Sequence, residues 1–128
     1  MSTTPLDLLR LARDLAGRAD EAALRSATSR AYYAAHHQCD ALCTQVGISL
    51  ARYRWTRKHE EIIDALERYT YSDANRQQEL RTVGTLLRQC RDLRNRADYD
   101  LNSAYDSEAA EITIATVESM FALATSSV

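Results

Sequence analysis

From Leu80 to Leu101 the apolar side chains recur three and four residues apart: Leu80, Val83, Leu87, Cys90, Ala97 and Leu101, with Arg94 in the slot between Cys90 and Ala97. That alternation puts all of them on one narrow stripe of an α-helix; a strand would need alternation every second residue. Little in the chain would interrupt such helices. It has three Gly and one Pro in 128 residues, and the Pro stands at position 5. The expectation is an all-α protein: one domain over 1–128, folded as an up-down bundle of four to five antiparallel helices joined by short connections.

Five helices follow from the same reading. The first runs from about Pro5 to Gly17 on the seam Leu8, Leu11, Ala12, Leu15, with Pro in the first turn and Gly near the stop. The second runs from about Asp20, as N-cap, to Val46 before Gly47. Its inner face is made of small residues (Ala27, Ala31, Ala34, Ala35, Ala41) with Leu24 and Leu42 at the ends. Small side chains let neighbouring helices approach closely, so this helix is expected at the centre. A loop spans about Ile48 to Arg57. The third helix, about Lys58 to Tyr69, has Glu60 and Glu61 in its first turn and the seam Ile62, Leu66, Tyr69. After the turn Tyr71–Asn75 the fourth runs from about Arg76 to Asn102. The last, about Ser107 to Thr125, packs Ala110, Ile114, Val117, Phe121 and Ala124.

Composition narrows the function classes. No apolar run approaches the roughly 18 residues of a membrane span. The N-terminal stretch MSTTPLDLLRLARDL is too charged for a secretory signal, and three Cys suit a reducing compartment better than a disulfide framework. A cytoplasmic protein is expected, with no membrane partner. The net charge of −2 hides an asymmetry: from Asp98 to the end there are six acids and no Lys or Arg. Fifteen of the sixteen basic residues are Arg, and six of them lie between Arg76 and Arg96. A pI near 5.9 argues against indiscriminate duplex binding and leaves room for a local basic pocket. A second cluster, Arg52, Arg54, Arg57 and Lys58 with Tyr53 and Trp55 among them, reads as an aromatic cap on the bundle or a surface on which single-stranded bases stack.

Arg94 is the residue that most needs explaining. Its guanidinium stays charged, so at a seam position it requires acceptors, and Asp98 lies one turn on. Arg before Asp is the weaker order for a surface pair, so the two form either a buried ion pair that sets register or a site. Arg30, Tyr33 and His37 share a stripe of the second helix: a polar seam, or the other wall of an Arg94 pocket. Tyr32 reads as a core aromatic. His36, Cys39 and Cys43 share a face, but ligands along one straight helix make a poor zinc site, so neither metal nor cofactor is expected.

Two strings carry a resemblance: Arg25-Ser-Ala-Thr-Ser-Arg-Ala-Tyr-Tyr-Ala-Ala-His-His37 on the second helix, and Leu93-Arg-Asn-Arg-Ala-Asp-Tyr-Asp100 at the end of the fourth. In that order, in an all-helical chain of this length, they resemble a HEPN domain. The closer likeness is to the small stand-alone HEPN proteins of bacteria and archaea with an Arg-x-x-Ala-Asp-Tyr motif, here Arg94, Ala97, Asp98 and Tyr99. The resemblance implies a homodimer whose two motifs meet in one cleft, and metal-independent cleavage of single-stranded RNA, as in toxins and phage defence. It implies catalytic roles for Arg94, Asp98 and Tyr99, and binding roles for Arg91, Asn95, Arg30, Tyr33 and His37.

The chain departs from the family where it matters. The usual motif runs Arg, often Asn, four to six residues, then His. Arg94-Asn95 matches its first half, but the three His are residues 36, 37 and 59. Metal-free cleavage needs a base, an acid and a cation; Arg94 supplies only the cation. Tyr99, with an ordinary pKa near 10, is a poor base. The departure keeps a second reading open: a non-catalytic helical module that partners a minimal nucleotidyltransferase, with Tyr99 the position to watch.

Overall fold

The computed structural model describes residues 2–18, 20–48 and 58–126. Among these the chain is all helix: α1 (Pro5–Ala16), α2 (Glu21–Gln45), α3 (Lys58–Glu67), α4 (Ala74–Tyr99) and α5 (Ser107–Ser126), packed as one contacting bundle without strands. The Trp55 cluster falls outside the described residues.

Helix ends follow local chemistry. Thr4 caps α1 in a reciprocal capping box: its hydroxyl accepts from the Asp7 amide at 3.1 Å and its own amide donates to the Asp7 carboxylate at 2.9 Å. Asp20 caps α2 through the Ala23 amide, as expected. At the far end Gly47, at φ 78°, closes a Schellman motif: Ile48 N–H donates to Cys43 O and Gly47 N–H to Thr44 O. Asp73 caps α4, accepting from the Asn75 and Arg76 amides, so α4 begins two residues earlier than its apolar pattern suggests. It also stops earlier, at Tyr99 rather than Asn102. Leu101, expected on the seam, is 69% exposed.

Helix α2 is the hub, touching all four others. Ala27, Ala31, Ala34 and Ala35 are fully buried, so the close approach expected of a small-residue face is present; Ala41, assigned to that face, is exposed. In α1 the buried residues are Leu9 and Ala12, with Leu8 and Leu15 half-buried; Leu11 faces solvent. The expected seams of α3 and α5 are buried, with Phe121 only partly so, and α5 adds Met120 and Thr113. Helices α3 and α4 touch most closely at Gly84, where an added Cβ would stand 2.9 Å from the Glu67 backbone nitrogen and from Leu66 Cβ.

The loop after α4 is held by Arg25. Its guanidinium is nearly buried and donates to the Arg96, Ala97 and Ser103 carbonyls, while Glu21 accepts from it at 3.0 Å. The same Glu21 oxygen accepts from the Tyr105 amide, and the Tyr105 hydroxyl meets Thr28 at 2.5 Å. The orphan carbonyls of the α4 C-terminus thus find donors on α2. This clamp fixes where the Arg94–Tyr99 segment sits.

A candidate site around Arg94

Arg94 is 8% exposed, so its place on the seam is real. Its guanidinium carbon lies 5.0 Å from the Tyr32 ring centre, 5.5 Å from Tyr33 and 5.7 Å from Tyr99. Two walls of this cage come from α2 and the third from the last residue of α4. Ring faces attract a cation through their quadrupole, more strongly where water is scarce. The polar partners of the guanidinium are the Tyr32 and Tyr99 hydroxyls and the Asp98 carboxylate. Nη1 stands 3.8 Å from the Asp98 carboxylate and donates to the Tyr99 hydroxyl at 3.3 Å. Nε is buried with no hydrogen-bond partner among the described residues. Arg25 is saturated, whereas Arg94, like Arg91, has a buried Nε without a hydrogen-bond partner among the described residues.

Asp98 is steered from both sides: Ser29 on α2 donates to its Oδ2 at 3.2 Å, and Arg94 faces the same oxygen. Tyr99 is 73% exposed and is the most exposed of the three cage walls, with Tyr33 half-buried and Tyr32 fully buried. Tyr32 is fully buried, as a core aromatic should be, and is also a cage wall. Its hydroxyl meets His59 Nδ1 at 2.5 Å, and burial pushes its pKa up to about 12, with the Arg94 charge opposing the rise. Tyr32 therefore holds its proton at any physiological pH and cannot serve as a base.

Behind Tyr32 lies a layer the sequence did not suggest. His59, carried on α3, stacks on His36 with centroids 4.1 Å apart, and both stack on Tyr32. The three histidines are thus near the cage: His36 and His59 pack against both Tyr32 and Tyr33, and His37 against Tyr33. The expected stripe on α2 is together as well. Arg30 lies 6.0 Å from the Tyr33 ring centre and the His37 ring 6.4 Å from it, and with Thr3, Thr4, Pro5 and Leu8 of the α1 end they line an open-sided pocket of about 550 Å³. Tyr33 is the link, since it touches both Arg30 and Arg94.

The remaining expected residues stand further out. Arg91 is mostly covered and lies 4.0 Å from both Glu60 and Asp92, with its Nε lacking a partner among the described residues. Asn95 is exposed, a step of about 100° round the helix from Arg94. Two features escaped the sequence reading. The Arg25 clamp had a signal, Glu four residues before Arg on a helix. His59 had none, because a lone His at a helix start shows nothing of what it will face.

Cys39, Cys43 and Cys90 are free and buried, and burial raises all three thiols, Cys43 and Cys90 to about 12. They are inert core residues rather than nucleophiles. Among the described residues no group of three or more His, Cys, Asp or Glu is placed to hold a metal ion, and no helix is long and apolar enough to cross a membrane. No protein-family model, curated protein or solved structure matches the chain.

Proposed function

We propose that this chain is a HEPN-like up-down bundle that binds single-stranded RNA, with the Arg94 guanidinium as the group that meets the phosphate. The observation that carries the reading is an almost buried cation caged by three aromatic rings, facing one carboxylate at 3.8 Å, with an unused N–H donor. A phosphate oxygen would complete what Asp98 and Tyr99 leave unsatisfied, and charge-assisted bonds of this kind are strong where water is excluded. Tyr99 is the gate: a rotation of its exposed ring would open Arg94 to a ligand. Asp98 then orients the guanidinium and Tyr99 lines the entrance. In the working assembly two copies bring their Arg94 faces together, doubling the cation that a cleavage transition state requires. Cleavage without metal would draw its proton transfer from His37, the exposed imidazole at the cage edge. The setting the resemblance implies is a toxin or a phage defence.

The test is anisotropy of a labelled single-stranded RNA, with cleavage followed in EDTA and circular dichroism as the check on folding. Arg94→Lys keeps the charge but loses the planar fork, and is expected to weaken binding by about tenfold. Undiminished binding and cleavage by a folded Arg94→Lys or Arg94→Ala protein would sink the reading.

One observation favours the alternative of a non-catalytic module that docks a nucleotidyltransferase. Tyr99, a wall of the cage, and Leu101, two residues further along the chain, are the two most exposed large apolar side chains among the described residues. Co-purification from the native source separates the two: a stoichiometric partner burying Tyr99 supports docking, and a free homodimer with RNA affinity supports the site.

A further inference from the structure

The pocket beside the cage has a mixed chemistry of its own. Pro5, Leu8 and the Tyr33 ring give it apolar surface, Thr3 and Thr4 bring hydroxyls, and Arg30 and His37 stand at its rim as exposed basic side chains. Its volume, about 550 Å³, is in the range of small-molecule sites. The α1 N-terminus is not itself an anion receptor. The capping box already occupies the Asp7 amide, and the Asp7 carboxylate is turned back onto Thr4 and Arg10. Any anion held here must therefore meet Arg30 and His37.

A bare anion site has no use for Pro5, Leu8 and an aromatic face, and a purely apolar ligand has no use for two basic groups. A nucleotide uses both. Tyr33 ties the pocket to the cage, its ring centre lying 5.5 Å from the Arg94 guanidinium carbon and 6.0 Å from that of Arg30. We infer that the pocket bounded by Thr3–Leu8 and Arg30–His37 is a nucleotide subsite, taking one base of a strand against Tyr33 and Leu8 and an adjoining phosphate between Arg30 and His37. The inference rests on the RNA reading of Arg94 and adds where the neighbouring nucleotide goes. Arg30 and His37 are then affinity determinants.

Two measurements test it on the full chain. The first is amide chemical-shift mapping with 5′-AMP and, separately, with inorganic phosphate. The second is anisotropy of a fluorescein-labelled oligoadenylate with wild type, Arg94→Lys and the double variant Arg30→Ala/His37→Ala, whose two positions are exposed and so leave the fold intact. AMP should shift the amides of Thr3, Thr4, Leu8 and Tyr33, and the double variant should bind the oligonucleotide about tenfold more weakly. Phosphate producing the same shifts as AMP would overturn the base-binding role. Binding that needs Arg94 but is indifferent to Arg30→Ala/His37→Ala, with no AMP shifts, would overturn the subsite and leave the Arg94 reading standing. No oligonucleotide binding by wild type, with no AMP shifts, would overturn both.

Discussion

At the scale of single residues, two buried arginines are held in opposite ways. Arg25 is saturated by three carbonyls and Glu21, whereas Arg94 is caged by rings and keeps Nε unpaired among the described residues. Removing the first should be costly for stability: Arg25→Ala strands the Arg96, Ala97 and Ser103 carbonyls and is expected to cost about 3 kcal/mol in urea unfolding. A loss below about 0.5 kcal/mol would mean that water replaces the clamp freely. Tyr32 gives a pH signature. Its pKa is raised to about 12 from the usual 10, so the neutral phenol favours the folded state; that contribution is whole below pH 10 and fades as pH climbs toward 12. The Cys43 and Cys90 thiols, raised from 9 to about 12, begin the same decline from pH 9. Unfolding curves at pH 9, 10.5 and 12 should show wild type losing stability across this window. Tyr32→Phe should lose less above pH 10, and parallel decline of the two proteins would refute the assignment.

At the scale of elements, α3 is joined to the bundle chiefly through α4. Arg88 reaches both Glu67 and Asp64, with Glu67 held below the usual carboxylate range by that contact; Arg81 donates to the Tyr69 carbonyl; and Gly84 permits the close approach. Gly84→Ala would raise helix propensity by about 1 kcal/mol yet press a methyl against backbone at 2.9 Å, an overpacking cost of about 1–3 kcal/mol. The net expectation is a loss of about 1 kcal/mol in thermal or urea unfolding. Gly17→Ala is the control, because Gly17 has αR angles and an added Cβ would come no nearer than 3.4 Å to the Asp14 carbonyl oxygen. It should be neutral or mildly stabilising. If both variants behave alike, the α3–α4 approach is looser than described. Because α3 carries His59 to Tyr32, a shift at Gly84 should also reach the cage, visible as a change in the Tyr32 environment.

For the whole molecule, the proposal of a composite site makes oligomeric state decisive. Tyr99 of the cage and the nearby Leu101 are exposed apolar side chains that the proposed dimer would cover. Light scattering after gel filtration should give twice the 14.4 kDa chain mass. Leu101→Asp, outside the cage and exposed, should raise the dimer dissociation constant by about tenfold or more. A wild-type monomer that still binds RNA would confine the site to one chain and remove the doubled cation from the mechanism.

Much of this architecture is written locally. The three-four spacing that placed Leu80, Val83, Leu87 and Cys90 on one stripe is a property of helix geometry alone, so the five helices and the hub role of the alanine-rich α2 were legible before any packing was known. Leu11, Ala41 and Leu101 were misassigned for one reason: apolar identity says which residues can be buried, and only neighbours decide which are. Arg94 was recognisable as an anomaly because a permanent charge on an apolar seam contradicts its surroundings. What holds it was not recognisable. The Tyr32–Tyr33–Tyr99 cage, the His36–His59 stack behind it and the Arg25 clamp join positions far apart in the chain, through contacts that exist only once α2, α3 and α4 are packed. Sequence spacing determined the helices and singled out the charge; tertiary packing alone decided its partners, because side-chain contacts across helices depend on distances that no local pattern encodes.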